Sequence, residues 1–313
     1  MGKHKQHSRV GKRLVQVLVS CFVALAIIAA FIYVTYGREI PVLQPAGTIA
    51  QQEYILILIT VGLGVFVVVP VFILLFWVAV RYRDGNKKAK YDPEFASHHG
   101  LEALWWGIPC AIILFLAIIT AIATHRLDPY KPLESDVEPV KVQVVALEWK
   151  WLFIYPDEGV ATVNYMTIPE KTPINLTITA DAPMNSLWIP ALTGQIYAMT
   201  GMSTKLHFMA DGVGVYNGAT ANISGEGYAD MTFKVNSVSS GDFDAWVEKS
   251  KLSTSLLNTT TYRELAQPAK SDQKTYVLMD TLLYDKIIDK YMMPEQVKQR
   301  AREKSATETG ASE

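Results

Sequence analysis

The chain changes its hydrophobic rhythm twice. Up to about residue 125, apolar positions run together in long blocks; from Val140 they alternate with polar ones; after Gly241 they recur every three or four residues. The blocks are residues 14–34, 54–80 and 101–124. Each reaches the roughly 20 residues that a helix needs to cross a bilayer. The first is interrupted only by Gln16 and Ser20, the second carries no charge, and the third carries Glu102 at its start. The second is longer than a bilayer requires, so it is expected to tilt or protrude. Pro70 inside it removes one backbone hydrogen bond and predicts a kink.

The alternation that follows is the mark of half-buried strands. Val140, Val142 and Val144 alternate with Lys141 and Gln143, and Ile174, Leu176 and Ile178 with Asn175, Thr177 and Thr179. Leu206 and Phe208 flank His207, which places His207 on the outward face, and Met231, Phe233 and Val235 repeat the pattern. Several short strands over about 100 residues predict a β-sandwich or barrel. Beyond Gly241, Phe243, Trp246 and Val247 share one helical face, and Leu283, Ile287, Ile288 and Tyr291 another. From Glu295 the chain is polar and poor in large apolar residues, a composition that fits a disordered tail. The expected fold is a membrane α-helical hairpin, preceded by a hydrophobic segment, then an all-β sandwich and a C-terminal helical extension. The expected boundaries are 1–36, 37–125, 126–240, 241–293 and 294–313.

Charge gives the hairpin an orientation. Lys3, Lys5, Arg9, Lys12 and Arg13 precede the first block without an acid, and Arg81, Arg83, Lys87, Lys88 and Lys90 follow the second. Both basic segments belong on the cytoplasmic side, which puts the β-domain outside. The first block has two readings, an uncleaved membrane helix or a secretory signal. Leu18-Val19-Ser20-Cys21 resembles a lipoprotein cleavage site, which would make Cys21 a lipidation site. Cys21 and Cys110 are the only cysteines and both lie in apolar blocks, so the exported domain can form no disulfide framework. With half of its 313 residues hydrophobic and a net charge of -1, the chain shows no basic patch interleaved with aromatics beyond the cytoplasmic loops, so no nucleic-acid partner is expected.

Several strings carry a family resemblance. LEALWWGIP places Glu102, Trp105 and Pro109 in an E-x-x-W-x-x-x-P frame; Trp149-Lys150-Trp151 leads into LFIYP; Met184-Asn185-Ser186 is followed by Pro190. Together and in this order they resemble subunit II of the haem-copper respiratory oxidases, over residues 45 to 293. The resemblance implies that the β-domain is cupredoxin-like.

Relatives that take electrons from cytochrome c carry a dinuclear copper centre in this domain, and here its ligand positions differ. Asn185 stands at the first histidine, Thr220 and Ser224 at the two cysteines, Asn222 at the acid, and Tyr228 at the second histidine; Met231 alone is retained. Copper in an electron-transfer site requires thiolate and imidazole, and one thioether cannot hold it. The pattern resembles the quinol oxidase branch, cytochrome bo type. The expectation is therefore no metal and no cofactor in this chain, with the haems and the oxygen-reducing copper in a partner subunit I. Smaller membrane subunits III and IV are further expected partners, lipid quinol the substrate of the complex, and cytochrome c no partner. The location implied is the bacterial inner membrane.

The resemblance also gives Glu102 a role at the cytoplasmic mouth of a proton pathway; its bland reading is a helix-start acid facing the helix dipole. His98 and His99 precede it and are expected to be solvated. Trp149 and Trp151 are expected to serve core packing or contact with subunit I, since without copper an electron has no onward step. Three N-x-S/T strings, at Asn175, Asn222 and Asn258, are read as chance matches. The resemblance predicts a structural and proton-intake subunit of a proton-pumping quinol oxidase. The alternative is a membrane-anchored binding or assembly protein built on the same scaffold.

Overall fold

The computed structural model describes residues 40–83, Asn86 and 97–310, side chains through Glu303, together with Ala26, Ala29, Ala30 and Tyr33. Cys21, most of the first apolar block and the basic residues Lys87, Lys88 and Lys90 lie outside the described residues. The chain divides into two compact units, Met1–Gln44 and Pro45–Glu313. In the first, Pro41–Leu43 forms a 3-10 turn. Everything below concerns the second.

Two helices, α1 (Thr48–Arg81) and α2 (His99–Arg126), are long and apolar enough to cross a membrane. Their large side chains, Phe66, Phe76, Trp77 and Trp106 among them, are exposed on every side, as expected of helices whose solvent is lipid. α1 continues through Pro70.

Twelve strands follow: β1 (Val140–Leu147), β2 (Lys150–Tyr155), β3 (Val160–Val163), β4 (Tyr165–Pro169), β5 (Ile174–Ala180), β6 (Asn185–Ile189), β7 (Thr193–Ala198), β8 (Thr204–Phe208), β9 (Gly214–Thr220), β10 (Thr232–Val238), β11 (Leu256–Leu257) and β12 (Lys274–Leu278). They form a seven-stranded sheet in the order β11-β12-β3-β2-β1-β5-β8 and a five-stranded sheet in the order β4-β10-β9-β6-β7. Interleaved with the last strands are α3 (Ser240–Lys251) and α4 (Thr259–Leu265), and after β12 come α5 (Leu283–Asp289) and α6 (Pro294–Gly310).

β2 does not alternate: all six residues of Lys-Trp-Leu-Phe-Ile-Tyr are buried. Trp151, Phe153 and Tyr155 face the core between the sheets, where Phe233 meets both Trp151 and Phe153. Leu152 and Ile154 face a second core against Tyr262, Leu265, Leu283, Ile287 and Ile288. The large sheet is thus covered on both faces, and a strand covered on both faces reads as a continuous apolar run. The C-terminal extension is the third layer of the domain.

Two expectations are corrected. The segment from Glu295 is helical, α6, and Arg300 on it pairs with Asp285 and Asp289, each at 2.6 Å. His207 is only 8 % exposed, not at the surface; alternation does place it opposite Leu206 and Phe208, but that face is covered too.

The β-domain is stitched to the start of α1. Ala46 donates to the Ala191 carbonyl at 2.7 Å, Asp211 to the Ala46 carbonyl at 2.9 Å, and Gly47 bridges Ala210. A Cβ on Gly47 would stand 2.7 Å from the Met209 oxygen and 2.9 Å from the Leu192 oxygen, so only glycine lets the strands approach.

Candidate functional site

The strands that would frame a copper centre lie where β6, β9 and the 220–231 loop meet. β6 pairs with β9 through Leu187 and Thr220, which brings Asn185 beside Thr220 although 35 positions separate them. The Thr220 hydroxyl donates to Asn185 Oδ1 at 2.8 Å, and both side chains are buried. Asn185 Nδ2 in turn donates to the Pro183 carbonyl at 3.1 Å. Asn222 Nδ2 donates to the Met184 carbonyl at 2.9 Å, and Ala221 N to the Ser186 carbonyl at 3.0 Å. Thr220 N donates to the Met231 carbonyl at 3.1 Å, and the Met231 side chain sits in the core between the sheets.

Asn185, Thr220, Asn222 and Met231 are therefore drawn into one network of side-chain and backbone bonds. Ser224 and Tyr228 lie farther along the loop. Ser224 Oγ is buried without a hydrogen-bond partner among the described residues. Tyr228 opens a 3-10 turn, Tyr228–Asp230, and is half-buried. The donor set is two amides, two aliphatic hydroxyls, a phenol and a thioether, and its amides and one hydroxyl are already bonded within the protein. It does not fit copper, which calls for softer, charged ligands. Among the described residues, no group of three or more His, Cys, Asp or Glu could hold a metal.

Glycines shape the frame. Gly218 lies under the Phe233 ring, and Gly227 under the Trp149 ring, so closely that a Cβ at either would overlap the ring. Gly225 has φ +118°, open to glycine alone at low cost. Trp149 itself has φ 63° at the β1–β2 turn, and its indole caps the loop. Trp151 is fully buried against Phe233. Both tryptophans thus pack within the domain.

Glu102 sits in the first turn of α2. His98 is the N-cap: its Nδ1 accepts from Leu101 N at 3.2 Å, while His98 N donates to Glu102 Oε1 at 3.2 Å. His99 Nδ1 stands 3.5 Å from Glu102 Oε2. The carboxylate is partly exposed and satisfies an orphan donor at the helix start.

Two residues that the sequence pattern did not single out anchor the third layer. Lys150, 2 % exposed, donates through Nζ to the Gln267 carbonyl at 2.9 Å and the Ala269 carbonyl at 2.8 Å. Burial, and then Lys274, push its pKa below the ordinary lysine value. The available signal was a lysine in an otherwise apolar strand. Asp181 receives Tyr262 Oη at 2.6 Å, Lys290 Nζ at 2.6 Å and Tyr291 Oη. Burial first, then Asp181, raise the Tyr262 pKa, and bonding to Asp181 raises that of Lys290. Nothing local in the sequence marks Asp181, because its partners lie 81 to 110 positions away.

The chain matches two family models: the periplasmic domain of cytochrome c oxidase subunit II over residues 157–238, and the COX aromatic rich motif over residues 251–295. The second match is the layer that Lys150 and Asp181 hold. The chain is 46 % identical over 256 residues to cytochrome bo(3) ubiquinol oxidase subunit 2 of Pseudomonas putida, covering 82 % of each chain. It is 44 % identical over 257 residues to ubiquinol oxidase subunit 2 of Acetobacter aceti, covering 82 % of this chain and 84 % of that one. Quinol oxidase subunit 2 of Bacillus subtilis is 39 % identical over 237 residues, 75 % of this chain and 74 % of that one. The chain belongs to the quinol oxidase subunit 2 family.

Proposed function

We propose that this chain is subunit 2 of a proton-pumping quinol:oxygen oxidoreductase in the bacterial inner membrane, and that it carries no redox centre of its own. The observation that supports this reading most is the Thr220–Asn185 hydrogen bond: the frame of a copper site is closed by neutral groups that bond each other. The physical logic agrees. A soluble donor outside the membrane needs a metal relay in the exported domain, whereas a lipid-soluble quinol delivers electrons within the bilayer and needs none.

On this reading the chain anchors and caps a subunit I that holds the haems, the oxygen-reducing copper and the quinol site, with subunits III and IV as further partners. α1 and α2 cross the bilayer and the β-domain lies on the periplasmic side, with Arg81 and Arg83 at the cytoplasmic end of α1. Glu102, at the cytoplasmic start of α2, takes protons from bulk water for a pathway into subunit I. Its carboxylate is partly exposed at the start of the helix.

Gentle solubilisation tests the reading. The chain is expected to co-purify with a haem-bearing polytopic subunit and quinol-dependent oxygen consumption. Recovery as a single chain with no haem partner would instead favour a scaffold or assembly role.

A further inference from the structure

The loop from β9 to β10 is fastened to the strands at its two ends. Ala221 N and Asn222 Nδ2 bond to the Ser186 and Met184 carbonyls at its start, and Thr220 N bonds to the Met231 carbonyl at its close. In between, Tyr228 N, Asp230 N and Met231 N donate to carbonyls of the loop itself, and Ile223 is 79 % exposed. The middle is reached from outside by the Trp149 indole, which lies under Gly225 and Gly227, and by Lys270, which pairs with Asp230.

These two contacts have a common root. Trp149 and Lys150 are consecutive, and strand alternation sends them to opposite faces. Trp149 packs against the core between the sheets, and Lys150 reaches the third layer, where Nζ holds the Gln267 and Ala269 carbonyls. Asn164, at the junction of β3 and β4, accepts from Trp151 N through Oδ1 at 2.9 Å and donates through Nδ2 to the Ser271 carbonyl. Every second carbonyl from Gln267 to Ser271 is thus taken by Lys150 or Asn164, while Lys270 among them extends to the loop. Residues 266–273 form a strap, fastened to the sheet along one edge and touching the loop with one side chain. The Lys270–Asp230 pair is exposed and adds little by itself.

The stronger connection is the turn. Trp149 has φ 63°, a left-handed conformation that a residue with a Cβ adopts only at a cost. Such strain persists where the surroundings over-determine it. Here the indole is trapped under the loop on one side and the next residue is pinned by the strap on the other. Loss of either hold lets the turn relax, and relaxation withdraws the other hold.

We propose that the strap and the loop are one conformational unit, coupled through the strained Trp149–Lys150 turn: the third layer locks the loop, and the two open together. This gives the C-terminal extension a task, which is to fix the surface that residues 222–230 present. The coupling rests on this geometry alone and holds whichever electron donor the complex uses.

The test is hydrogen–deuterium exchange, read by mass spectrometry, on the full chain in its detergent-solubilised complex. Peptides covering 258–267 report the strap end through the amides of Tyr262, Ala266 and Gln267, and peptides covering 222–231 report the loop through those of Tyr228 and Asp230. In Lys150→Met, exchange is expected to rise by about tenfold in both segments while β5 keeps its native rate. Coupling is reciprocal, so Gly227→Ala, which displaces the indole from the loop side, is expected to speed exchange in 258–267 as well. Faster exchange confined to 258–267 in Lys150→Met, or confined to the loop in Gly227→Ala, would overturn the proposal, as would an equal rise in β5. The native chain supplies a measurement that needs no variant: in low urea the two segments are expected to open with one urea dependence, and two different dependences would overturn the coupling.

Discussion

The Thr220 hydroxyl donates to the Asn185 amide oxygen at 2.8 Å inside the domain, joining β9 to β6 at positions where the family resemblance implies metal ligands in copper-bearing relatives. Each group satisfies the other in a place closed to water. Thr220→Val removes the donor and leaves Asn185 Oδ1 buried and unpaired, which costs about 1–3 kcal/mol. A chemical denaturation series should show that loss. Quinol oxidase turnover of the assembled complex should stay unchanged if, as proposed, no electron passes through this site.

Lys150 ties β2 to the loop after α4 through two carbonyls. Lys150→Met keeps the length of the side chain and strands both carbonyls. Charged hydrogen bonds of this kind contribute roughly 1.5–3 kcal/mol each as measured by deletion. The expected result is local release of the third layer, with faster protease cutting between residues 266 and 273 while the sheets stay protected. Uniform loss of protection across the domain would mean that the clamp stabilises the whole fold.

These two relationships were legible to different degrees. Asn185, Thr220, Asn222 and Ser224 were visible in the sequence because they occupy a spaced frame, and the structure adds how three of them are bonded. Lys150 was visible only as a charge in an apolar run. Asp181 was not visible, since only the folded chain brings Tyr262, Lys290 and Tyr291 to it. The strands were legible from alternation where one face is open, as in β10, and in β2, where both faces are covered, only through the family resemblance of its aromatic string. His207 was misplaced for the same reason: alternation gives the face of a sheet, and cannot say whether chain from elsewhere covers it.

His207 also makes stability depend on pH. Its folded pKa is held below the ordinary value by burial and then by Lys205. The unfolded chain therefore binds the proton first as pH falls through about 6.5, and stability is lost over that range and below, down to the folded pKa. Thermal melts at about pH 7.5 and pH 5.5 should show a larger drop for the native chain than for His207→Gln, which cannot titrate. Equal drops would place the acid sensitivity elsewhere.

Gly227 and Trp149 are matched by size. A Cβ at Gly227 would overlap the indole that closes the loop. Gly227→Ala should cost about 1–3 kcal/mol by overpacking and shift the near-ultraviolet circular dichroism of tryptophan. Gly241→Ala, in α3 where a Cβ meets nothing within 4 Å, is the control: it should not lower stability, gaining up to about 1 kcal/mol from helix propensity, and should leave the tryptophan signal unchanged.

Glu102→Gln keeps an acceptor for His98 N and removes the titratable group. Haem content of the assembled complex should stay normal while turnover and proton uptake fall. Unchanged turnover would leave Glu102 as a helix-start acid alone.

The central claim is that this subunit passes no electrons. Near-infrared absorption of the oxidised, purified complex, read against its copper-to-haem ratio, tests this most directly. The account predicts no copper-pair band and no copper beyond that of the haem-bearing partner subunit; a near-infrared band with stoichiometric extra copper would contradict it.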